Sequence, residues 1–365
     1  MAGPATGRRQ FLGGLLAAGV MPQPTWADAG SPAFLSAAAR IDRRFVLCGI
    51  SADLDVEFAR PLPDRGHAAA AHPTRPEAVA FARRPGTFAV VIDCMTGAQK
   101  AELTAPAQRH FYGHGAFSAD GSLLFTTEND FENGRGRIGV WDTRHGYVRI
   151  DEWDSGGIGP HDIKRLPGSD MLVVANGGID THPETGRTKL NIPTMAPNLA
   201  YIADAVVIET AALGPEMHKN SIRHLAVSAN GDVGFGMQWQ GDGTVGALVG
   251  LHRLGSSMIL MEAPQNDVRN MDGYIGSIAM DADGTTIAVT SPRGGFFHVY
   301  DSRTRQLIQT APLADVCGVA NTGDGFAVTS GTGAVQRRTT ARVQLAKQTN
   351  LTWDNHLIPL TSDHG

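Results

Sequence analysis

The chain has 365 residues, of which 42% are hydrophobic and 18% charged, with a formal net charge of −5. That composition excludes a disordered chain, and the mild acidity gives no electrostatic reason to expect nucleic acid or anionic lipid as a partner. The 44 glycines argue against long idealised helices, the three cysteines (Cys48, Cys94 and Cys317) are too few and too odd for a disulfide framework, and the lack of a CxxCH motif excludes covalent c-type haem.

Residues 7–13 read GRRQFLG, and a weakly apolar run continues to Val20. Ala27-Asp28-Ala29 then offers small residues at the two positions a signal peptidase reads. The run is too short for a permanent membrane span. Residues 1–29 therefore read as a twin-arginine export signal. The mature chain, 30–365, is expected to work in the periplasm without a transmembrane segment. A basic start followed by a short core helix is the alternative.

Beyond the leader the sequence repeats itself. HGAFSADGSLLFTTEND (from His114), HLAVSANGDVGFGMQ (from His224) and SIAMDADGTTIAVTS (from Ser277) share one grammar. A short strand is followed by a D-G or N-G turn and a second strand, then a loop, a third strand, a turn and a fourth strand. Four strands in roughly 40–50 residues is the unit of a propeller blade. The expected fold is all-β: a single seven-bladed β-propeller of the WD40/YVTN kind. Six blades are placed near 66–105, 111–154, 158–213, 218–262, 270–311 and 314–348. The seventh is expected to close the ring from both termini, one strand coming from 352–361 and the rest from 44–62.

One histidine recurs at a fixed place. Aligned on the turn glycines Gly121, Gly168 and Gly231, the residue seven places earlier is His114, His161 and His224. His67 occupies the same place in the first blade, and His356, within Trp353-Asp354-Asn355-His356, in the last. Ser277 stands there in blade five and Cys317 in blade six. These positions begin the innermost strands, so the imidazoles and one thiol are expected to converge at one mouth of the central channel. Imidazole is the commonest metal ligand, and with thiolate it suits iron, copper or zinc. The competing view is structural, because propellers also use histidines as hydrogen-bonded struts. Repetition of the position favours ligation.

The loops of that face add candidates. Glu128 and Asp130 in blade two and His182 in the long blade-three insertion offer further ligands, and Asn176 opens that insertion. Arg83, Arg84, Arg135, Arg187, Arg223 and Arg293 could instead bind an anion such as a carboxylate or a chelate. Ser330-Gly331-Thr332-Gly333 is a loop with no helix after it, so not a phosphate cradle. Cys48 and Cys94 either link the closing blade to blade one or remain core thiols.

EAVAFARRPGTFAVVID at 77–93, HFYGHGAFSADG at 110–121, TENDFENGRGRIGVWD at 127–142, SGGIGPHD at 155–162 and NGGIDTHPETGRTKLN at 176–191 resemble the family called domain of unknown function 1513. SIRHLAVSANG at 221–231, SPRGG at 291–295, DVCGV at 315–319 and WDNHL at 353–357 continue the resemblance over essentially the whole mature chain. It implies an exported propeller, often encoded beside imelysin-like proteins in iron-uptake clusters, and carries no established activity. One departure is LAYIADAVVIETAA at 199–212, where the usual Asp-containing third strand and turn are replaced by a longer form.

Three functions follow as expectations. The first is a periplasmic metal-binding protein for iron, or second copper, with His67, His114, His161, His224, His356 and Cys317 as ligands. Glu128, Asp130, Asn176, His182, Arg223 and Arg293 would surround them. The second is a non-catalytic platform for periplasmic iron-uptake partners, and the third a metal-dependent oxidoreductase. A monomer is expected in each case.

Overall fold

A computed structural model describes residues 23–83, 87–186, 188–243 and 245–360. The paired arginines of the expected leader, Arg8 and Arg9, and Arg84 and Arg187 of the expected loops lie outside the described residues. Seven antiparallel sheets succeed one another along the chain, and six of them are four-stranded meanders in simple sequence order. The inner strands of blades one to six are Gly66–Ala71, Arg109–Phe117, Pro160–Arg165, Asn220–Val227, Ser277–Met280 and Val316–Asn321. Each packs on the next, and Ile358–Pro359 touches the inner strands of blades six and one, so the ring closes.

The turn chemistry read from the sequence explains the meander. Gly121, Gly231 and Gly284 adopt φ of 71°, 79° and 71°, a region costly for other residues, and so turn the first strand into the second. The aspartates that end third strands close the outer turns. Asp93, Asp142 and Asp301 each accept the backbone N–H groups two and three residues on. Blade three differs from the expected longer form at 199–212. Strands Asn198–Ala203 and Val206–Ala212 are joined by a tight hairpin in which Asp204 (φ 48°) and Ala205 (φ 68°) are both left-handed.

The closing blade corrects one expectation. Its strands are Phe34–Arg40, Phe45–Ile50 and Val56–Leu62, joined by the C-terminal segments Leu351–Trp353 and Ile358–Pro359. Phe34–Arg40, FLSAAAR, lies before the stretch assigned to this blade. Its small residues are poor strand formers in isolation, yet Ala38 pairs with Trp353 and Leu35 with Ile358. Tertiary pairing overrides local propensity there. Trp353 is fully buried against Cys48, Ile50, Ala320 and Ala327, which welds blade seven to blade six.

Between blades the core is a series of apolar seams, such as Val249, Leu251, Met280, Ile287 and Val289 between blades four and five. Each fully buried side chain of this kind contributes about 1.5–3 kcal/mol. All three cysteines are free and buried, so Cys48 and Cys94 remain core thiols, each pushed up by burial to about 12. Residues Trp26–Ala29, at the end of the expected leader, form a 3-10 turn whose Trp26 indole donates to the His72 carbonyl at 2.9 Å. No described helix is long and apolar enough to cross a membrane.

Candidate metal centre

The inner strands that carry histidines do not run straight. Register breaks fall between Gly66 and Ala69, Phe111 and Gly115, Pro160 and Asp162, and Ile222 and His224. A bulge leaves residues unpaired and re-aims a side chain. Here each break spans or adjoins His67, His114, His161 or His224. In blade seven the inner strand is interrupted between Trp353 and Ile358, and the interruption carries His356. Ser277, at the equivalent place in blade five, pairs in regular register with Thr290.

Two glycines make the convergence possible. A Cβ on Gly113 (φ 103°) would lie 2.8 Å from Cδ2 of His67. A Cβ on Gly318 would lie 2.7 Å from the backbone nitrogen of Leu357, beside His356. Neither position tolerates a side chain without moving a hub histidine.

The five imidazoles form one closed cluster. Ring centroids lie 5.0 Å apart for His67–His114, 5.1 Å for His114–His161, 4.8 Å for His161–His224, 5.1 Å for His224–His356 and 4.6 Å for His356–His67. Two overlapping triads, His67/His114/His356 and His114/His161/His224, have ligand atoms within 4.8 Å of one another and could hold a metal ion. His67 Nε2 and His114 Nε2 are 3.3 Å apart. Two nitrogens bound tetrahedrally to one ion at ~2.1 Å would lie about 3.4 Å apart.

Hydrogen bonds select the nitrogen that each ring presents. His161 Nδ1 lies 2.9 Å from the Arg223 carbonyl, which only accepts, so that nitrogen carries the proton and Nε2 keeps its lone pair. His114 Nδ1 lies 3.2 Å from the buried Asp162 carboxylate, which assigns its proton in the same way. This is the outer-shell arrangement that orients metal-binding imidazoles. Asp162 is itself fixed by the Leu225 N–H at 2.9 Å.

Four nitrogens of the other three rings lack a hydrogen-bond partner. His67 Nδ1, both nitrogens of His224 and His356 Nε2 are buried with no hydrogen bond. Each such group costs about 1–3 kcal/mol unless something bonds it. Burial, then the neighbouring hub groups and arginines, hold His67, His161 and His356 well below the ordinary imidazole value and His224 at about 3. These four rings are neutral at physiological pH, the state that ligates.

The family described as "Protein of unknown function (DUF1513)" matches residues 60–360. The chain belongs to that family. No curated protein matches it. A chain of hydrazine synthase from Kuenenia stuttgartiensis is similar in structure, with a TM-score of 0.60 and 14% identity, covering 84% of this chain and 89% of that one. At that identity the likeness shows the shared fold alone.

Other sequence candidates in this DUF1513 chain lie elsewhere. Cys317 does not join the triads. Its Sγ donates to the Asp315 carbonyl at 3.1 Å, and burial beside Asp315 and Asp354 keeps the thiol protonated. Glu128 is bound at both oxygens by Arg149, at 2.6 and 3.0 Å. Asp130 is bound by Arg109 at 2.7 Å. Both belong to an ion-pair ladder across blade two, where their charge is already spent. Asn176 knits Ser155 to Asn198 at the start of the blade-three insertion. His182 caps a turn in that insertion by accepting the Glu184 N–H, and its ring packs on Phe131 at 5.1 Å.

Arg223 and Arg293 do sit at the mouth. They line a 270 Å³ pocket whose floor includes His67, His161 and His224. On the other side of the imidazole layer lies a 670 Å³ cavity lined by the far halves of the inner strands, and His224 and His356 face it. Sequence reasoning missed Asp162 and Asp354. Asp162 follows a hub histidine directly in the chain, a signal that could have flagged it.

Proposed function

We propose that this chain is a periplasmic metal-handling propeller in which His67, His114, His161, His224 and His356 hold iron or copper, exported by the twin-arginine route and serving metal uptake. One observation carries the reading: four buried imidazole nitrogens in the cluster have nothing to bond. A hydrogen-bonded strut would spend those nitrogens on protein acceptors. A ligand ring leaves one lone pair of each imidazole for an ion. The all-nitrogen donor set suits the later divalent transition metals better than hard cations.

The protein's own contribution is orientation and exclusion. Asp162 and the Arg223 carbonyl hold the Nδ1 protons of His114 and His161, which turns both Nε2 lone pairs inward. The bulges aim the rings, and the buried setting keeps them neutral. A bound iron or copper ion would supply redox or Lewis-acid chemistry at the floor of the mouth pocket.

The test uses metal-free full-length mature protein, incubated anaerobically with Fe(II) or with Cu(I) and then desalted. At least one ion retained per chain, lost in His224→Gln and His356→Gln, is the expected result. A wild-type protein that retains neither ion overturns the proposal.

A further inference from the structure

The mouth pocket concentrates positive charge. Arg83, Lys189, Arg223 and Arg293 line it together, and none of its lining residues is a carboxylate. The Arg83 charge is met from behind by Asp354, at 2.5 Å. Lys189 feels the like charges of Arg223 and Arg293. Burial and those charges lower its ammonium below its ordinary value. Lys189 is delivered by the blade-three insertion, which is closed on itself by Asn191 donating to the Gly178 carbonyl at 2.9 Å. The Arg293 guanidinium carbon lies 4.4 Å from the Tyr274 ring centroid, a cation–π contact that helps to hold the side chain at the pocket wall.

Like charges gathered in a half-closed pocket repel one another unless an anion joins them. Guanidinium groups suit carboxylate, which they bind through two parallel N–H donors. The same pocket presents Trp239 and Tyr274 faces and the Gln238 and Gln240 amides, which fit a short carbon skeleton better than a bare inorganic ion. Its 270 Å³ admits a small molecule and excludes a polymer.

We infer that this pocket binds a small organic polycarboxylate, clasped by Arg223, Arg293 and Lys189 directly above the imidazole layer. The inference stands on the pocket's charge and shape and does not require a metal below it.

The probe is propane-1,2,3-tricarboxylate, added to metal-free full-length protein and followed by calorimetry at low and physiological salt. Inorganic phosphate and the neutral trimethyl ester of the same acid serve as comparisons. The expected result is saturable 1:1 binding of the tricarboxylate that weakens with salt. Arg293→Gln and Lys189→Gln should each weaken it at least tenfold. His356→Gln, at the hub ring that lines the opposite cavity and not this pocket, should change it less than threefold, so loss of metal binding and loss of anion binding are separable. Absence of tricarboxylate binding, ester binding as tight as the acid, phosphate binding as tight as the acid, or unchanged affinity in both charge variants overturns the inference.

Discussion

Lowering the pH should unfold the metal-free protein through its hub. His67, His161, His224 and His356 are all held below the ordinary imidazole value, His224 at about 3. In the unfolded chain each takes up a proton near pH 6.5. The unfolded state therefore binds more protons than the folded one below that pH, and stability falls as pH drops. Above pH 6.5 the penalty vanishes. At pH 5.0 each group costs about 2 kcal/mol, so the four together cost about 8 kcal/mol. A chain of this length unfolds with an entropy of about 0.7 kcal/mol/K, so the hub alone lowers Tm by about 11 °C. His72 and His298, both lowered to about 4, act in the same direction. The hub share is isolated by scanning calorimetry in chelator at pH 7.5 and 5.0, comparing wild type with His67→Gln/His224→Gln. The double variant should lose about half of the hub's contribution. An equal pH shift in wild type and variant, or a wild-type shift below about 3 °C, refutes buried neutral imidazoles.

Asp162→Asn keeps the shape but removes the charge that holds His114 Nδ1, and should weaken metal binding by about 10–100-fold in a competition titration. Cys317→Ser should leave metal stoichiometry unchanged, because the thiol faces Asp315 and not the rings; a lost equivalent would restore it as a ligand. Gly113→Ala should displace His67 and reduce metal retention while far-ultraviolet circular dichroism stays native. Trp353→Ala should destabilise the closing blade by about 3–5 kcal/mol in urea titrations, since the ring is fully buried at the blade six–seven seam.

The blades were legible because turn chemistry repeats. D-G and N-G turns and strand-ending aspartates marked the repeat, and the bounds of the other blades fall close to the expected ones, but blade five opens at Ser277 and not near 270. Phe34–Arg40 escaped because an alanine-rich run has no strand signature until Trp353 and Ile358 pair with it. The five histidines were legible as a recurring position, and the bulges that aim them were not, since a bulge is a relation between two strands. The ion pairs of Glu128 and Asp130 were hidden from the sequence for a related cause. Arg109 sits on the adjacent strand and Arg149 two strands away in the same sheet, pairings invisible to a scan for ligand spacing. Lys189, Arg223 and Arg293 come from three blades, and only the ring brings them to one pocket.

Whether the histidine ring is a cofactor site is tested most directly by elemental analysis of protein expressed from the full 365-residue sequence and purified without an affinity metal, beside a His114→Ala/His161→Ala variant. Near-stoichiometric iron or copper in the wild type and none in the variant is the expected result. Metal-free wild type, with a variant that is merely less stable, would contradict it.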